Sequence, residues 1–246
     1  MKTLSAYDIA EKFKKRINTY DKEAFIQDFM ANLLIKEIKK QRENYKTVFE
    51  AGAGTGIFTN RIKKELSFRK LYINDIIYEE DLCYDDISVI AGDICSAVFP
   101  DNIDLFCSNA MLQWINDKKS LLEKIYYALS KNGLIAISSF GKDNFLQIKK
   151  ISGAGLEYNS WEELFDMLSA CKMEIIYTGE KHLHMVFPSA QEVLKHIKRT
   201  GVNACGKYWD GSVKFLINEY EKKFKKNNGV YLTYHPIWFI ARKKNA

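Results

Sequence analysis

The sequence predicts an α/β protein. It should form a doubly wound, mostly parallel sheet of seven strands, preceded by helices and carrying a helical insertion between the last two strands. Three observations predict it. Five short apolar runs, rich in β-branched and aromatic residues, alternate with helical or turn segments between residues 47 and 139. The first run ends in a glycine-rich turn that leads straight into a helix, and two later extended stretches bracket a mostly helical segment, residues 188–228.

The elements follow in order. From Asp21 to Asn44 the apolar positions Ala24, Phe25, Phe29, Met30, Leu33, Leu34 and Ile38 recur at three- and four-residue steps, predicting one long amphipathic helix with Asp21 as its cap. The period then changes. Thr47 to Ala51, Leu71 to Asp75, Ile87 to Ala91, Ile103 to Ser108 and Leu134 to Ser139 are nearly continuous apolar runs, as expected of parallel strands covered on both faces. Helices Phe58 to Leu66 and Lys118 to Ser130 fall between them, and a further helix is expected from Ser160 to Cys171. Met173 to Phe187 and Gly229 to Arg242 read as the last two strands, enclosing helices Ser189 to Arg199 and Gly211 to Lys226. One domain is expected: N-terminal helices (1–45), a core (46–142) and the insertion (188–228).

Composition narrows the class. The chain has 246 residues, 47% hydrophobic and 28% charged with only 3 Pro, which argues against a disordered or fibrous chain. No apolar window is long enough to span a membrane and the N-terminus lacks a secretory apolar core, so a cytoplasmic, membrane-free protein is expected. Cys83, Cys95, Cys107, Cys171 and Cys205 are odd in number and without C-x-x-C spacing, and read as reduced thiols. His182 and His184 alternate on one expected strand, but no neighbouring Cys or carboxylate pair completes a metal site, and none is assigned. The net charge of +6 divides unevenly: +4 over residues 1–47, −4 over 48–141 and +6 over 142–246. Such basic flanks can steer an acidic partner.

The chemistry is concentrated at the end of the first strand, Glu50-Ala51-Gly52-Ala53-Gly54-Thr55-Gly56. Glycines there permit positive φ and let a ligand lie against bare backbone, and the following helix offers unpaired N–H groups, so a nucleotide-like cofactor is expected. Asp75, at the end of the second strand, is placed to accept from ribose hydroxyls. Asp93, after the third strand, can accept an adenine amino group while Ile94 packs on the ring. A dinucleotide fingerprint would need glycine at Ile57.

The E-x-G-x-G-x-G form resembles the first motif of the class I S-adenosylmethionine-dependent methyltransferases, whose fold is Rossmann-like. Asp104-Leu105-Phe106-Cys107-Ser108-Asn109 resembles their fourth-strand motif. Leu129 to Leu134 resembles the turn into strand five, with Asn132-Gly133 in place of the usual Pro-Gly-Gly. Tyr20-Asp21 with Ala24 and Gln27, Ser108-Asn109 before Leu112-Gln113-Trp114, Ser138 to Gly141, Leu194 to Lys198, Thr200-Gly201-Val202-Asn203-Ala204 and Leu232-Thr233-Tyr234 together resemble the malonyl-[acyl-carrier protein] O-methyltransferase family of biotin synthesis. The resemblance covers about residues 7 to 243.

That resemblance implies S-adenosyl-L-methionine as cofactor, leaving as S-adenosyl-L-homocysteine. The implied cofactor set is Gln27, Glu50, Gly52, Gly54, Gly56, Asp75, Ile76, Asp93, Ile94 and Asn109, with Glu50 approaching the amino group of the methionine part. An N-terminal helical lid is implied too, with Tyr20 and Trp114 as substrate-pocket walls and Lys198 and Arg199 as cations guiding the substrate carboxylate. A carboxylate is already ionised at pH 7, so no catalytic base is assigned. The implied partner is acyl-carrier protein bearing malonyl-phosphopantetheine. It is acidic, and Lys195, Lys198, Arg199, Lys207, Lys214, Lys222, Lys223, Lys225 and Lys226 are the candidate docking cations. The protein is expected to be a monomer. RNA methylation is a further alternative that the basic charge favours. Asn109-Ala110-Met111-Leu112 lacks the N-P-P-[FY] form and so argues against the amino-methylating subclass, and the placing of the basic charge on the insertion favours an acidic carrier protein over nucleic acid. The alternatives are another class I methyltransferase acting on a small carboxylic acid or natural product, and a non-catalytic cofactor-binding module.

Overall fold

A computed structural model describes residues 6–200 and 211–244. The expected N-terminal helix is broken. After α1 (Ala6–Lys14) come α2 (Ile17–Glu23) and α3 (Phe25–Gln41), separated at buried Ala24, whose ψ of 33° leaves the helical region. Asp21 therefore lies inside α2 and caps nothing. Its carboxylate instead accepts from Thr55 Oγ1 at 2.6 Å, tying the helix to the glycine-rich turn.

The sheet runs through β1 (Asn44–Ala51), β2 (Ser67–Asp75), the short β3 (Leu82–Cys83), β4 (Ile87–Ala91), β5 (Ile103–Asn109), β6 (Leu129–Phe140), β7 (Met173–Glu180) and β11 (Pro236–Lys243). Its order is β3-β4-β2-β1-β5-β6-β11-β7. The central pairs from β4 to β6 are parallel, and β11 is antiparallel to both β6 and β7. The seven expected strands are present, with the two-residue β3 added on one edge. Between them α4 (Ile57–Glu65), α5 (Lys118–Ala128) and α7 (Trp161–Ala170) pack on the sheet, and α6 (Leu146–Ser152) follows β6. Ser160 and Glu163 form a reciprocal capping box at the start of α7. Cys107 and Cys171 are buried and Cys83 and Cys95 exposed, all as free thiols.

The two late extended stretches each split. β8 (Leu183–Phe187) and β10 (Gly229–Tyr234) leave the main sheet and pair antiparallel with each other, with β9 (Lys225–Lys226) beside β10. The corners fall at Lys181-His182 and His235, where Pro236, lacking an N–H, begins β11. This small sheet carries α8 (Ala190–Arg199), capped by Ser189, and α9 (Val213–Lys223). Met30, Phe140, Val193, Ile197, Tyr220 and Leu232 form a core between the N-terminal helices and the insertion. Two other cores line the faces of the main sheet, one around Phe49 and Phe106 and one around Leu34, Ile38 and Val48. The strand order switches sides between the parallel neighbours β1 and β5, which leaves a crevice at the strands' C-terminal ends.

Candidate active site

The crevice is built from backbone turns braced by side chains. Gly52 has φ of +73°, and a Cβ there would collide with the Met111 side chain. Gly54 also has positive φ, and its N–H donates to Asp75 Oδ2 at 2.6 Å. Asp75 Oδ1 accepts from the Ile77 N–H at 3.0 Å, and burial raises its carboxyl above the ordinary value. Asn74, which the sequence did not single out, donates to the carbonyls of Ile90 and Gly92 and so joins the ends of β2 and β4. Asp93 folds its own turn by accepting from the Cys95 N–H at 2.9 Å.

The opposite wall hangs from β5 and β6. Ser138 Oγ donates to Asn109 Oδ1 at 2.7 Å, and Asn109 Nδ2 donates to the Gln27 carbonyl at 3.0 Å. Gln27 is buried on α3, and its Oε1 has no partner among the described residues. Tyr20 stands on α2, its hydroxyl near Gln27 and its ring edge-on to Phe13 at 4.8 Å. Burial, and then Asp21, raise the Tyr20 phenol above its ordinary value.

One cavity brings together Gln27, Gly52, Gly54, Asp75, Ile76, Asp93, Ile94, Asn109, Tyr20 and Trp114. Four sequence candidates do not line it. Gly56 sits just before α4. Glu50 lies behind the turn, 1% exposed, and both its oxygens lack partners among the described residues. Its carboxyl is pushed up to about 8, chiefly by burial, with Thr59 opposing the rise and Asp75 adding to it. Lys198 and Arg199 are exposed at the end of α8, and Arg199 is drawn to Glu23 at 3.0 Å on α2. Thr200 reaches the cavity, whereas Gly201 to Ala204, like Cys205 and Lys207, lie outside the described residues.

The cavity also takes Asn144, Phe145, Tyr158 and Tyr234, for which the sequence assigned no role. Only Tyr234 carried a signal, as the last residue of the Leu232-Thr233-Tyr234 segment. The cavity thus has a glycine-and-carboxylate half and an aromatic half. His182 and His184 do not share a site: His182 lies at the corner and pairs with Asp143 at 2.8 Å, while its ring stacks on His235 at 4.1 Å. Ligand atoms of Asp143, His182 and His235 lie within 4.8 Å of one another. His235 Nδ1 accepts from the Asp143 N–H, and its Nε2–H donates to Glu180 at 2.8 Å.

A methyltransferase-domain family model matches residues 49–137. The YcgJ protein of Bacillus subtilis superposes with a TM-score of 0.61 at 15% identity, covering 89% of this chain and 99% of that one. The [4+2]-cyclase SpnF does so with a TM-score of 0.57 at 16% identity, covering 89% and 81%. At these identities the likeness shows the fold. The malonyl-[acyl-carrier protein] O-methyltransferase of Bacteroides thetaiotaomicron is 33% identical over 97% of this chain and 98% of its own length. The chain belongs to the malonyl-[acyl-carrier protein] O-methyltransferase family. A second family member, from Calditerrivibrio nitroreducens, is 33% identical over 94% of both chains. These matches extend well beyond residues 49–137, so the N-terminal helices and the insertion belong to the family's shared length as much as the sheet core does.

Proposed function

We propose that the chain transfers the methyl group of S-adenosyl-L-methionine to the free carboxylate of malonyl-[acyl-carrier protein], giving the methyl ester that enters biotin synthesis. The observation that carries this is near-full-length membership of the family together with a two-part cavity whose residues fit that cofactor. Gly52 and Gly54 present bare backbone, and Gln27 Oε1 is a buried acceptor without a partner among the described residues. Asp75 would hold the ribose and Asp93 and Ile94 the adenine, while Gln27 and Asn109 would hold the methionine part. When bound, the sulfonium supplies an electrophilic methyl group.

The chain's own work is positioning. A carboxyl with an ordinary pKa near 4 is ionised at pH 7, so its oxygen attacks without a general base. Tyr20, Trp114, Phe145 and Tyr158 close an apolar space around it. Excluding water there strips the hydration that would stabilise two opposite charges about to neutralise one another. Lys195, Lys198, Lys214, Lys222 and Lys225 are exposed on the insertion and would meet the acidic carrier protein.

The test is incubation with methyl-labelled S-adenosylmethionine and malonyl-, succinyl- and acetyl-carrier protein in parallel. Label on the malonyl carrier, with little on succinyl and none on acetyl, supports the function. Transfer to none of them overturns it.

A further inference from the structure

Beside the cavity, three side chains from distant parts of the chain form a buried line. Glu23 ends α2, His196 lies on α8 and Tyr234 ends β10. His196 is 2% exposed, its Nδ1 is 2.6 Å from Glu23 Oε2, and its Nε2 is 2.6 Å from the Tyr234 hydroxyl. Arg199 holds the other Glu23 oxygen at 3.0 Å. The Tyr234 ring lines the cavity, edge-on to Phe145 at 5.0 Å. Nothing in the proposed methyl transfer uses this line.

Resting on the proposed function, we propose that Tyr234 is the hydrogen-bond donor that orients the substrate carboxylate, and that Glu23 and His196 set the direction of its proton. The logic is one of donors and acceptors. Burial opposes ionisation of Glu23, but hydrogen bonds from His196 and Arg199 outweigh it and hold the carboxyl below its ordinary value. Glu23 is therefore an acceptor only, and His196 Nδ1 must carry a proton. Two arrangements of Nε2 remain. If it is bare, Tyr234 donates to it and turns its proton away from the cavity. If it is protonated, it donates to the Tyr234 oxygen, and the phenol O–H is free to donate into the cavity.

Burial, and then the nearby Tyr158 and Tyr20 phenols and Glu23, raise the Tyr234 phenol well above its ordinary value, so it keeps its O–H throughout. A carboxylate arriving in the cavity favours the second arrangement: it accepts the O–H, and a proton drawn from solvent onto Nε2 offsets its charge. One carboxylate oxygen is then held by a neutral donor while the other stays free to attack. A lysine or arginine in direct contact would reduce its nucleophilicity more. Among the described residues, the charged and titratable groups facing His196 are Glu23 from α2, Tyr234 from β10 and Arg199 from its own helix. β8 contributes the uncharged Phe187 ring, and on α9 Glu221 is bound to the Ala190 N–H at the far end of α8.

The experiment has two readouts. Malonyl-carrier protein is titrated calorimetrically into protein saturated with S-adenosylhomocysteine, at about pH 7.5, in two buffers of different ionisation enthalpy. The unaltered protein takes up a measurable fraction of a proton per carrier bound, and acetyl-carrier protein, which has no carboxylate, causes no uptake. Tyr234→Phe abolishes the uptake and lowers kcat/KM by about tenfold or more, with S-adenosylhomocysteine affinity unchanged. Glu23→Gln can still accept from Nδ1–H but lacks the charge, so it abolishes the uptake while keeping the side-chain volume. Equal uptake in the unaltered protein and both variants, or turnover by Tyr234→Phe equal to that of the unaltered protein, overturns the proposal. No methyl transfer to malonyl-carrier protein by the unaltered protein overturns this proposal and the function beneath it. Transfer with Tyr234→Phe unaffected overturns this one alone.

Discussion

Glu50→Gln tests whether the carboxyl behind the glycine-rich turn is an uncompensated charge. In the ligand-free protein both its oxygens are buried without partners among the described residues, and burial pushes it from an ordinary value of 4.5 up to about 8. The folded state therefore binds this proton more tightly than the unfolded chain does. Its contribution to stability is fully present below about 4.5 and lost as pH rises through about 8, the reverse of a salt-bridged carboxylate. With those two values, linkage gives a loss of about 2 kcal/mol between pH 6 and pH 8 through this one group. For a domain of this size that corresponds to a fall in Tm of about 4–8 °C. The assay is thermal unfolding of ligand-free wild type and Glu50→Gln at both pH values. The difference between the two proteins removes every other titrating group. Glu50→Gln should melt higher at pH 8 and lack this part of the slope. Parallel pH dependence in the two ligand-free proteins would refute the reasoning.

Three further outcomes are expected. Gly52→Ala, which forces a Cβ into Met111 at positive φ, should lower S-adenosylhomocysteine affinity by at least about tenfold by calorimetry, whereas the equivalent change at open Gly153 should not. Asp75→Asn keeps the shape but loses the charged acceptor for the Gly54 N–H, and should weaken the same affinity by on the order of tenfold. Reversing Lys214, Lys222 and Lys225 together to Glu should raise KM for malonyl-carrier protein several-fold, falling away at high salt, while leaving a carrier-free malonyl thioester unaffected.

The strands of the main sheet were legible because a doubly covered parallel strand is apolar along nearly its whole length, and Thr47 to Ala51 and Ile103 to Ser108 read that way around Glu50 and Asp104. Asp75 and Asp93 were legible because strand ends in such a sheet converge on one crevice, so position along the chain implies position in space. The break at Ala24 was not, since the three-and-four spacing of apolar residues continues through it and only ψ changes. The split of Met173 to Phe187 and of Gly229 to Arg242 was hidden for a related reason: a strand that moves from one sheet to another remains extended on both sides of the corner. Pro236 was the one local hint.

Contacts between distant segments were least legible. Glu23, His196 and Tyr234 are separated by more than a hundred residues at the widest, and no spacing rule links them. Arg199 looked like a substrate cation because a cation at a helix end is compatible with that role. Its engagement by Glu23 depends on where α2 packs, which the sequence does not display. Asp143 beside His182 is of the same kind, supplied by the turn after β6.

The central claim is that the acceptor is the carboxyl oxygen of a carrier-bound malonyl group. Intact-mass measurement of malonyl-carrier protein after turnover, followed by brief mild alkali, tests it most directly. Turnover should add one methyl group that alkali removes, as for an ester, and add none to acetyl-carrier protein. A methyl group that survives alkali, or one that appears equally on acetyl-carrier protein, would contradict it.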